Sequence, residues 1–271
     1  MDPDDFYEMP EEYDGGTSPD YYFVRAQKAI REVFEEKRES VFYLRQLQVK
    51  FEGISAHWVT HHAVEGLFKL GYLREKRFAK TSGTPTRFFY HKSYRSPLRA
   101  ARRMEEVIVE YSQDHITRSC GHRAEDLFCK ALSLRGFLPV AQKVNEFRGR
   151  KWEKSERDLD FVFARDGIEY GCEIKNTLGY IEKDEFNEKL EMCQFFGVRP
   201  LFIMRFSPWP YNHDIIEQGG FALLFKSQIY DLSQVALVNK IRDVLDLPVD
   251  CPRSIPDGII DRFESWHEKN V

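Results

Sequence analysis

The chain has 271 residues, which exceeds the usual size of one domain and favours two. Its 42% hydrophobic and 14% aromatic residues suffice to build cores, and no run approaches the roughly 18 apolar residues of a membrane-spanning helix. The acidic start lacks the basic and apolar regions of a signal peptide, and the five cysteines never occur in CxxC spacing. These features argue against a membrane protein, a zinc scaffold and a disulfide framework, and they favour a cytoplasmic protein.

The net charge of −4 conceals a segregation of charge along the chain. Residues 1–20 contain eight acidic residues and no Lys or Arg, which predicts an acidic disordered tail. Residues 21–110 contain 18 Lys and Arg against 10 acidic residues, a net charge of +8. A basic block of this kind favours contact with a polyanion.

The pattern after the tail predicts a helical domain that ends in a β-hairpin. Gly53 breaks a second helix, and Ser55 is placed to cap a third helix that ends at Gly71. Two extended runs then flank a Ser-Gly turn, as in a hairpin. Because three helices followed by a hairpin is the winged-helix order, residues 21–95 resemble a winged-helix α+β domain. The predicted elements are helices 21–38, 41–51 and 55–70, extended runs 72–78 and 87–91 around a turn at 81–85, and a linker helix within 96–114.

Two surfaces of this domain are predicted to contact DNA. On the third helix we expect a polar face to contact phosphates or bases, with Trp58, Val64 and Leu67 in the core. On the hairpin, basic side chains are candidate phosphate contacts. A solvated surface without a ligand is the alternative for both. The predicted DNA-binding residues are His57, Thr60 and His61 on the helix, and Lys76, Arg77, Lys80 and Arg87 on the hairpin.

From residue 115 onward, helices and strands alternate. This pattern predicts an α/β domain, 115–271, with a mixed central sheet flanked by helices. Asp166-Gly167 between two apolar runs is a hairpin signal. The predicted helices are 117–135, 183–196, 211–217, 233–245 and 256–268, and the predicted strands are 137–145, 157–164, 168–176, 200–206 and 221–226.

The two strands of this hairpin carry charged residues on an otherwise apolar sheet. Since side chains at i and i+2 share a face, Glu173 and Lys175 point the same way, and Asp160 on the partner strand can converge on them. Two carboxylates and an ammonium are costly to bury together unless a cation compensates. Mg²⁺ or Mn²⁺ suits carboxylate and phosphate oxygens, so the pattern favours metal-assisted phosphodiester hydrolysis.

Other charged and polar residues near this site are further candidates. Glu125 lies at the edge of the apolar face of the preceding helix, from which it can reach along the sheet. Asp158 has the same facing as Asp160 and is the alternative metal ligand. We prefer Asp160 because the apolar run that enters the core starts directly after it. Candidates for supporting or DNA-contacting roles, with plain surface positions as the alternative, are Asn176, Lys189 and Gln194.

The order helix-Glu, strand, Asp, hairpin, Glu-x-Lys resembles the PD-(D/E)XK nuclease superfamily over about residues 115–226. The resemblance implies a restriction-endonuclease-like fold in which Asp160, Glu173 and Glu125 hold Mg²⁺ or Mn²⁺, and in which these acids and Lys175 are catalytic. The proline of the family motif is replaced by Leu159. The implied function is a DNA endonuclease that acts on duplex or branched DNA, and analogy adds a homodimer.

Two other functions fit parts of the sequence. A non-catalytic DNA-binding or regulatory protein with a relict nuclease fold would keep this architecture, but the intact Asp160, Glu173 and Lys175 argue against it. A winged-helix regulator with a ligand-sensing C-terminal domain would need a ligand motif, and the sequence has no Gly-rich phosphate loop.

Overall fold

The computed structural model describes residues 19–78 and 85–271. Residues 1–18 of the predicted acidic tail and most of the predicted hairpin turn therefore lie outside the described residues, and residues 19 and 20 belong to the first helix. The chain divides into two compact units, Met1–Glu105 and Glu106–Val271. The division falls inside the helix that corresponds to the predicted linker. None of the helices in the described ranges combines the length and the apolar character that crossing a membrane requires.

In the first unit, helices pack around a small antiparallel sheet of order β1-β3-β2. The core is formed by apolar side chains of the helices, β1, β2 and β3, among them Ile30, Leu67 and Phe89. The elements, including the helix shared with the second unit, are α1 (Pro19–Glu36), β1 (Val41–Tyr43), α2 (Leu44–Lys50), α3 (His57–Lys69), β2 (Leu73–Phe78), β3 (Thr86–His91) and α4 (Leu98–Tyr111).

Two local predictions in this unit are wrong. The predicted second helix includes Val41–Tyr43, but these residues form β1 and pair with β3. Their β-branched and aromatic side chains favour a strand once a partner strand is available. Ser55 does not cap α3, because Ala56 occupies the cap position. The Ser55 hydroxyl instead lies 2.9 Å from the hydroxyl of Thr60.

The second unit is a mixed sheet of order β10-β9-β8-β7-β4 flanked by helices, which confirms the coarse fold prediction. A pair of two-stranded ribbons, β5 with β6 and β11 with β12, was not predicted. The elements are α5 (Asp114–Leu134), β4 (Leu138–Val144), β5 (Glu146–Phe147), β6 (Arg150–Lys151), β7 (Leu159–Arg165), β8 (Ile168–Lys175), α6 (Lys183–Phe196), β9 (Arg199–Met204), α7 (Trp209–Glu217), β10 (Phe221–Leu224), β11 (Gln228–Ile229), α8 (Val235–Leu245), β12 (Val249–Asp250) and α9 (Asp257–Asn270).

The topology of this sheet determines where charged residues can meet. β4, β7 and β8 are antiparallel, whereas β8, β9 and β10 are parallel. The β7–β8 turn is made by Asp166 and Gly167, whose φ values of 53° and 78° suit the predicted tight hairpin. α5 and α9 cover one face of the sheet, and α6 and α7 cover the other. The open end of the β7–β8 hairpin therefore lies in a sheet that is covered by α5 and α9 on one face and by α6 and α7 on the other.

Candidate active site

Two carboxylates, a buried one on Glu173 and a partly buried one on Asp160, face each other at the open end of the β7–β8 hairpin. Phe161 pairs with Cys172 in the strand register, so Asp160 and Glu173, each one residue beyond that pair, stand opposite each other. Opposed residues of antiparallel strands project from the same face of a sheet. Asp160 Oδ2 accepts a hydrogen bond of 2.6 Å from the backbone N–H of Ile174, which fixes this carboxylate against β8.

A lysine from α6 reaches this pair. Lys189 Nζ lies 2.6 Å from Glu173 Oε2, and the two side chains are only 6% and 7% exposed. The same ammonium donates to the carbonyl oxygen of Asp158. Burial lowers the pKa of Lys189, but the neighbouring carboxylates, first Glu173 and then Asp160 and Asp158, together outweigh this effect and leave the pKa above its ordinary value. Lys189 is therefore a charged, buried partner of Glu173.

One lysine does not neutralise both carboxylates. Burial and, next, the charge of Glu173 raise the pKa of Asp160 to about 8, although the Ile174 N–H and Lys189 act in the opposite direction. Burial also raises the pKa of Glu173, despite the contact with Lys189. With both acids ionised, these three side chains carry one excess negative charge. Asp160 must keep its proton at neutral pH, or a cation must supply the missing charge.

This imbalance predicts a pH-dependent stability of the metal-free protein. Because the folded pKa of Asp160 lies above its value in the unfolded chain, its contribution to stability is complete below pH 3.8 and is lost as the pH rises to about 8. Relative to Asp160→Asn, the free energy of unfolding of the unsubstituted protein in EDTA should fall across this interval by on the order of a few kcal/mol.

Chemical unfolding at a series of pH values measures this difference. Asp158→Asn is the matched control, because it removes the same charge from a residue outside the opposed pair. Parallel pH profiles for the unsubstituted protein and Asp160→Asn would contradict the buried charge imbalance.

The motif lysine has a partner of its own. Lys175 shares a sheet face with Glu173, and its Nζ donates a 2.6 Å hydrogen bond to Glu185 Oε1 on α6. The side chains of Lys175 and Glu185 are 27% and 22% exposed, so this pair lies nearer to solvent than Glu173 and Lys189. Glu185 is not among the site residues predicted from the sequence, although it lies one helical turn before Lys189.

The sequence contained a signal for this side of the site. Lys189 occurs in α6 among the buried residues Phe186, Leu190 and Cys193, which makes it a charged residue on an inward helix face. A buried lysine usually requires a carboxylate partner. Helical spacing therefore indicated a partner for Glu173, and the supporting role considered for Lys189 corresponds to this ion pair.

Glu125, the third predicted metal ligand, does not lie together with Asp160 and Glu173. Glu125 is half-buried on α5, on the sheet face opposite α6, and its charge makes a smaller contribution to the raised pKa of Asp160. In residues 19–78 and 85–271, a single group of three potential ligand atoms lies within 4.8 Å, and it is His213, Asp214 and Glu217 on α7. That group is largely exposed and resembles an ordinary solvated helix face.

Asp160 and Glu173 nevertheless suit a divalent cation. Glu173 Oε2 is buried and, apart from its contact with Lys189, has no hydrogen-bond donor among the described residues. Mg²⁺ typically takes one or two protein carboxylates and completes its coordination with water and substrate oxygens. Two carboxylates with an excess negative charge are therefore a sufficient protein donor set, and Glu125 is a candidate for an outer contact.

Other predicted site residues have different positions. Asp158 precedes β7, and its carbonyl oxygen accepts from Lys189. Asn176 is buried and does not suit a DNA contact. Its amide nitrogen donates to Cys120 O at 2.9 Å and to Ile229 O at 2.7 Å, so it joins β8 to α5 and β11. Gln194 is exposed on α6.

The polar face predicted for α3 is partly wrong. His57 and Thr60 are 1% and 0% exposed, so neither is available for direct contact with DNA. His57 Nδ1 lies 3.2 Å from Arg45 Nη1, and Thr60 packs its hydroxyl against Ser55. Trp58, expected in the core, is 43% exposed. Intramolecular polar partners, which periodicity does not reveal, explain the buried histidine and threonine.

The hairpin cations are largely neutralised by acids of the same unit. Arg87 contacts Glu65 and Glu75, and Arg77 Nε lies 2.8 Å from Glu75. Partial burial lowers the pKa of His61, which favours its neutral form at pH 7. Lys80 lies outside the described residues, whereas Lys76 is exposed and remains a candidate phosphate contact.

Comparison of the chain with models of protein families, with curated proteins and with solved structures found no match.

Proposed function

We propose that the chain is a divalent-metal-dependent nuclease that hydrolyses phosphodiester bonds at Asp160 and Glu173, with the first unit positioning it on DNA. The observation that carries this proposal is the opposition of buried Glu173 to partly buried Asp160, with one excess negative charge when both are ionised. A structural role alone gives no reason to retain such a pair, because like charges in a buried site oppose folding. A function that requires a bound cation gives a reason to retain the pair.

The arrangement of elements supports the same proposal. α5, β4, β7, β8, α6 and β9 follow the order on which the resemblance to PD-(D/E)XK nucleases rests, with the acids on β7 and β8. In the first unit, the order of helices and the closing β2–β3 hairpin support a winged-helix-like domain. A homodimer and a cytoplasmic location remain predictions from the sequence.

The chain's own residues have separable roles in this reaction. Asp160 and Glu173 would hold the metal, which when bound would polarise the phosphodiester and lower the pKa of a water molecule. Lys189 orients Glu173 and limits the negative charge of the site. Lys175, which is half-buried on the same face as Glu173, donates to the phosphate oxygens on which negative charge develops. Glu185 positions Lys175 before the substrate arrives.

Substitutions of Lys175 and of its partner Glu185 should reduce the rate of cleavage by different amounts. Lys175→Met should lower the rate of cleavage by about 10²- to 10³-fold, because it removes a charged donor aimed at the developing charge. Glu185→Gln should lower the rate by less than about tenfold, because an amide still accepts a hydrogen bond from Lys175. Single-turnover rates measure both effects. Equal losses in the two variants would assign Lys175 a merely structural role.

A substrate panel tests the proposed function. Labelled linear, nicked, branched and single-stranded DNA and an RNA of the same sequence are incubated with the full chain and Mg²⁺ or Mn²⁺. We expect cleavage of at least one DNA, no cleavage in EDTA and recovery when excess metal is added. Absence of cleavage on every substrate by a folded protein would contradict the proposal.

A non-catalytic DNA-binding protein is the second candidate. It is favoured by the internal pairing of both lysines, since Lys189 contacts Glu173 and Lys175 contacts Glu185 without any ligand. This candidate predicts binding of DNA that neither requires metal nor leads to cleavage. The substrate panel, repeated as a binding assay in EDTA, separates the two functions.

A further inference from the structure

The most concentrated positive charge among the described residues lies between β3 and the middle of α4. Residues 92–103, here called the basic segment, contain five cationic residues and no acidic residue. All five side chains are exposed. Within the described part of the chain, none of them forms an ion pair or a side-chain hydrogen bond. They are Lys92, Arg95, Arg99, Arg102 and Arg103.

Three of these cations share one side of α4. Arg99, Arg102 and Arg103 have the spacing i, i+3 and i+4, which places them on one helix face. The opposite face buries Ala101 and Met104 in the protein. The arginines therefore form a compact cationic surface fixed by the packing of the helix.

The stability of α4 does not explain this arrangement. Like charges at i and i+4 destabilise a helix by about 0.2–0.5 kcal/mol. Cations in the first turns also oppose the helix dipole, which favours negative charge at that end. Binding of a polyanion would offset both costs.

Two other arginines of the first unit provide a contrast. Arg87 lies between Glu65 and Glu75, and Arg38 contacts Glu35. These acids neutralise the hairpin and the end of α1, but none of them contacts the basic segment. The basic segment differs from these sites because its five exposed cations have no acidic residue among them in the sequence.

We propose that the basic segment binds the phosphate backbone of the nucleic acid, which moves the main polyanion contact from the hairpin to the helix predicted as a linker. This inference rests on the proposed function for the nature of the ligand. The planar guanidinium of arginine matches the geometry of phosphate oxygens and can donate two hydrogen bonds to one group. Contacts with phosphates position a protein on nucleic acid without reading its sequence.

A matched pair of triple variants tests this inference. Arg99→Gln, Arg102→Gln and Arg103→Gln are combined in the test protein. Arg25→Gln, Lys28→Gln and Lys37→Gln, all exposed positions of the same unit, are combined in the control. Each variant loses three positive charges, and thermal unfolding checks that both remain folded. Binding of labelled duplex DNA is measured in EDTA across a range of salt concentrations.

We expect the test variant to lose affinity by at least about tenfold near 0.1 M salt, because each phosphate contact releases counterions. The slope of log affinity against log salt should become shallower by about 2.7, at roughly 0.9 for each lost contact. The control variant should retain most of its affinity. Equal losses in both variants would show that only net charge matters, and unchanged binding by the test variant would overturn the inference as well.

The experiment separates this inference from the proposed function, because binding in EDTA does not depend on cleavage. Loss of binding by the test variant supports the basic segment even if no metal supports cleavage. Cleavage together with undiminished binding by the test variant would contradict the basic segment and leave the nuclease intact. Tighter binding of the protein to vesicles of anionic lipid than to DNA would overturn the assignment to nucleic acid.

Discussion

Asp160→Asn should lower the rate of phosphodiester cleavage by about 10³-fold or more, because a bound metal contributes several kcal/mol of transition-state stabilisation and each 1.36 kcal/mol is a factor of ten. Asparagine has nearly the same shape and can still accept from the N–H of Ile174, so the substitution removes the charge and leaves the local fold. Glu173→Gln should cause a loss of the same order, but it also leaves Lys189 without its carboxylate partner.

Asp158→Asn is the control for this prediction, because Asp158 is the alternative ligand considered from the sequence. Its backbone carbonyl contacts Lys189, and the substitution leaves that contact unchanged. Single-turnover cleavage rates of Asp160→Asn, Glu173→Gln and Asp158→Asn, each checked for folding, decide whether Asp160 or Asp158 is the metal ligand. A large loss with Asp158→Asn and a small one with Asp160→Asn would transfer the assignment to Asp158.

Lys189→Met should destabilise the metal-free protein by about 3–5 kcal/mol, as expected when one partner of a buried ion pair is removed. Methionine fills a similar volume, so the cost comes from leaving Glu173 buried without its cation rather than from a cavity. The free energy of unfolding in EDTA, measured with denaturant, gives this cost. If the variant does not fold without metal, the double variant described next supplies the measurement.

A double-mutant cycle isolates the interaction itself. Glu173→Gln combined with Lys189→Met replaces the charged pair by neutral groups, and this double variant should be far more stable than Lys189→Met alone. Additive effects of the two substitutions would mean that Lys189 and Glu173 do not interact in solution. Recovery of stability would show that the charge of Glu173, and not the shape of residue 189, requires the lysine.

The sequence patterns predicted the second unit better than the first. Long apolar periodicities and the Asp166-Gly167 turn specify its strands and helices locally, so the sheet and the opposition of Asp160 to Glu173 follow from alternation and register. In the first unit, Val41–Tyr43 is too short to reveal a period, and its strand character depends on pairing with β3. Tertiary pairing is not visible in a local pattern.

The candidate site was predicted in part for a similar reason. Glu173 and Lys175 lie on one strand, so their common facing is a local property of the chain. The contacts of Glu185 and Lys189 with that strand depend on how α6 packs on the sheet, which spacing alone does not give. The same limit explains His57, whose burial depends on Arg45 and Glu52 rather than on its own helix.

Direct measurement of Mn²⁺ binding tests whether Asp160 and Glu173 bind a divalent cation, as we propose. Calorimetric titration is performed on the full chain at neutral pH in a His213→Gln background, which removes the exposed three-residue group on α7. Asp160→Asn and Asp158→Asn are compared in that background. We expect a Mn²⁺ site that Asp160→Asn abolishes and Asp158→Asn retains. Equal Mn²⁺ binding by all three proteins, or none by any of them, would contradict this proposal.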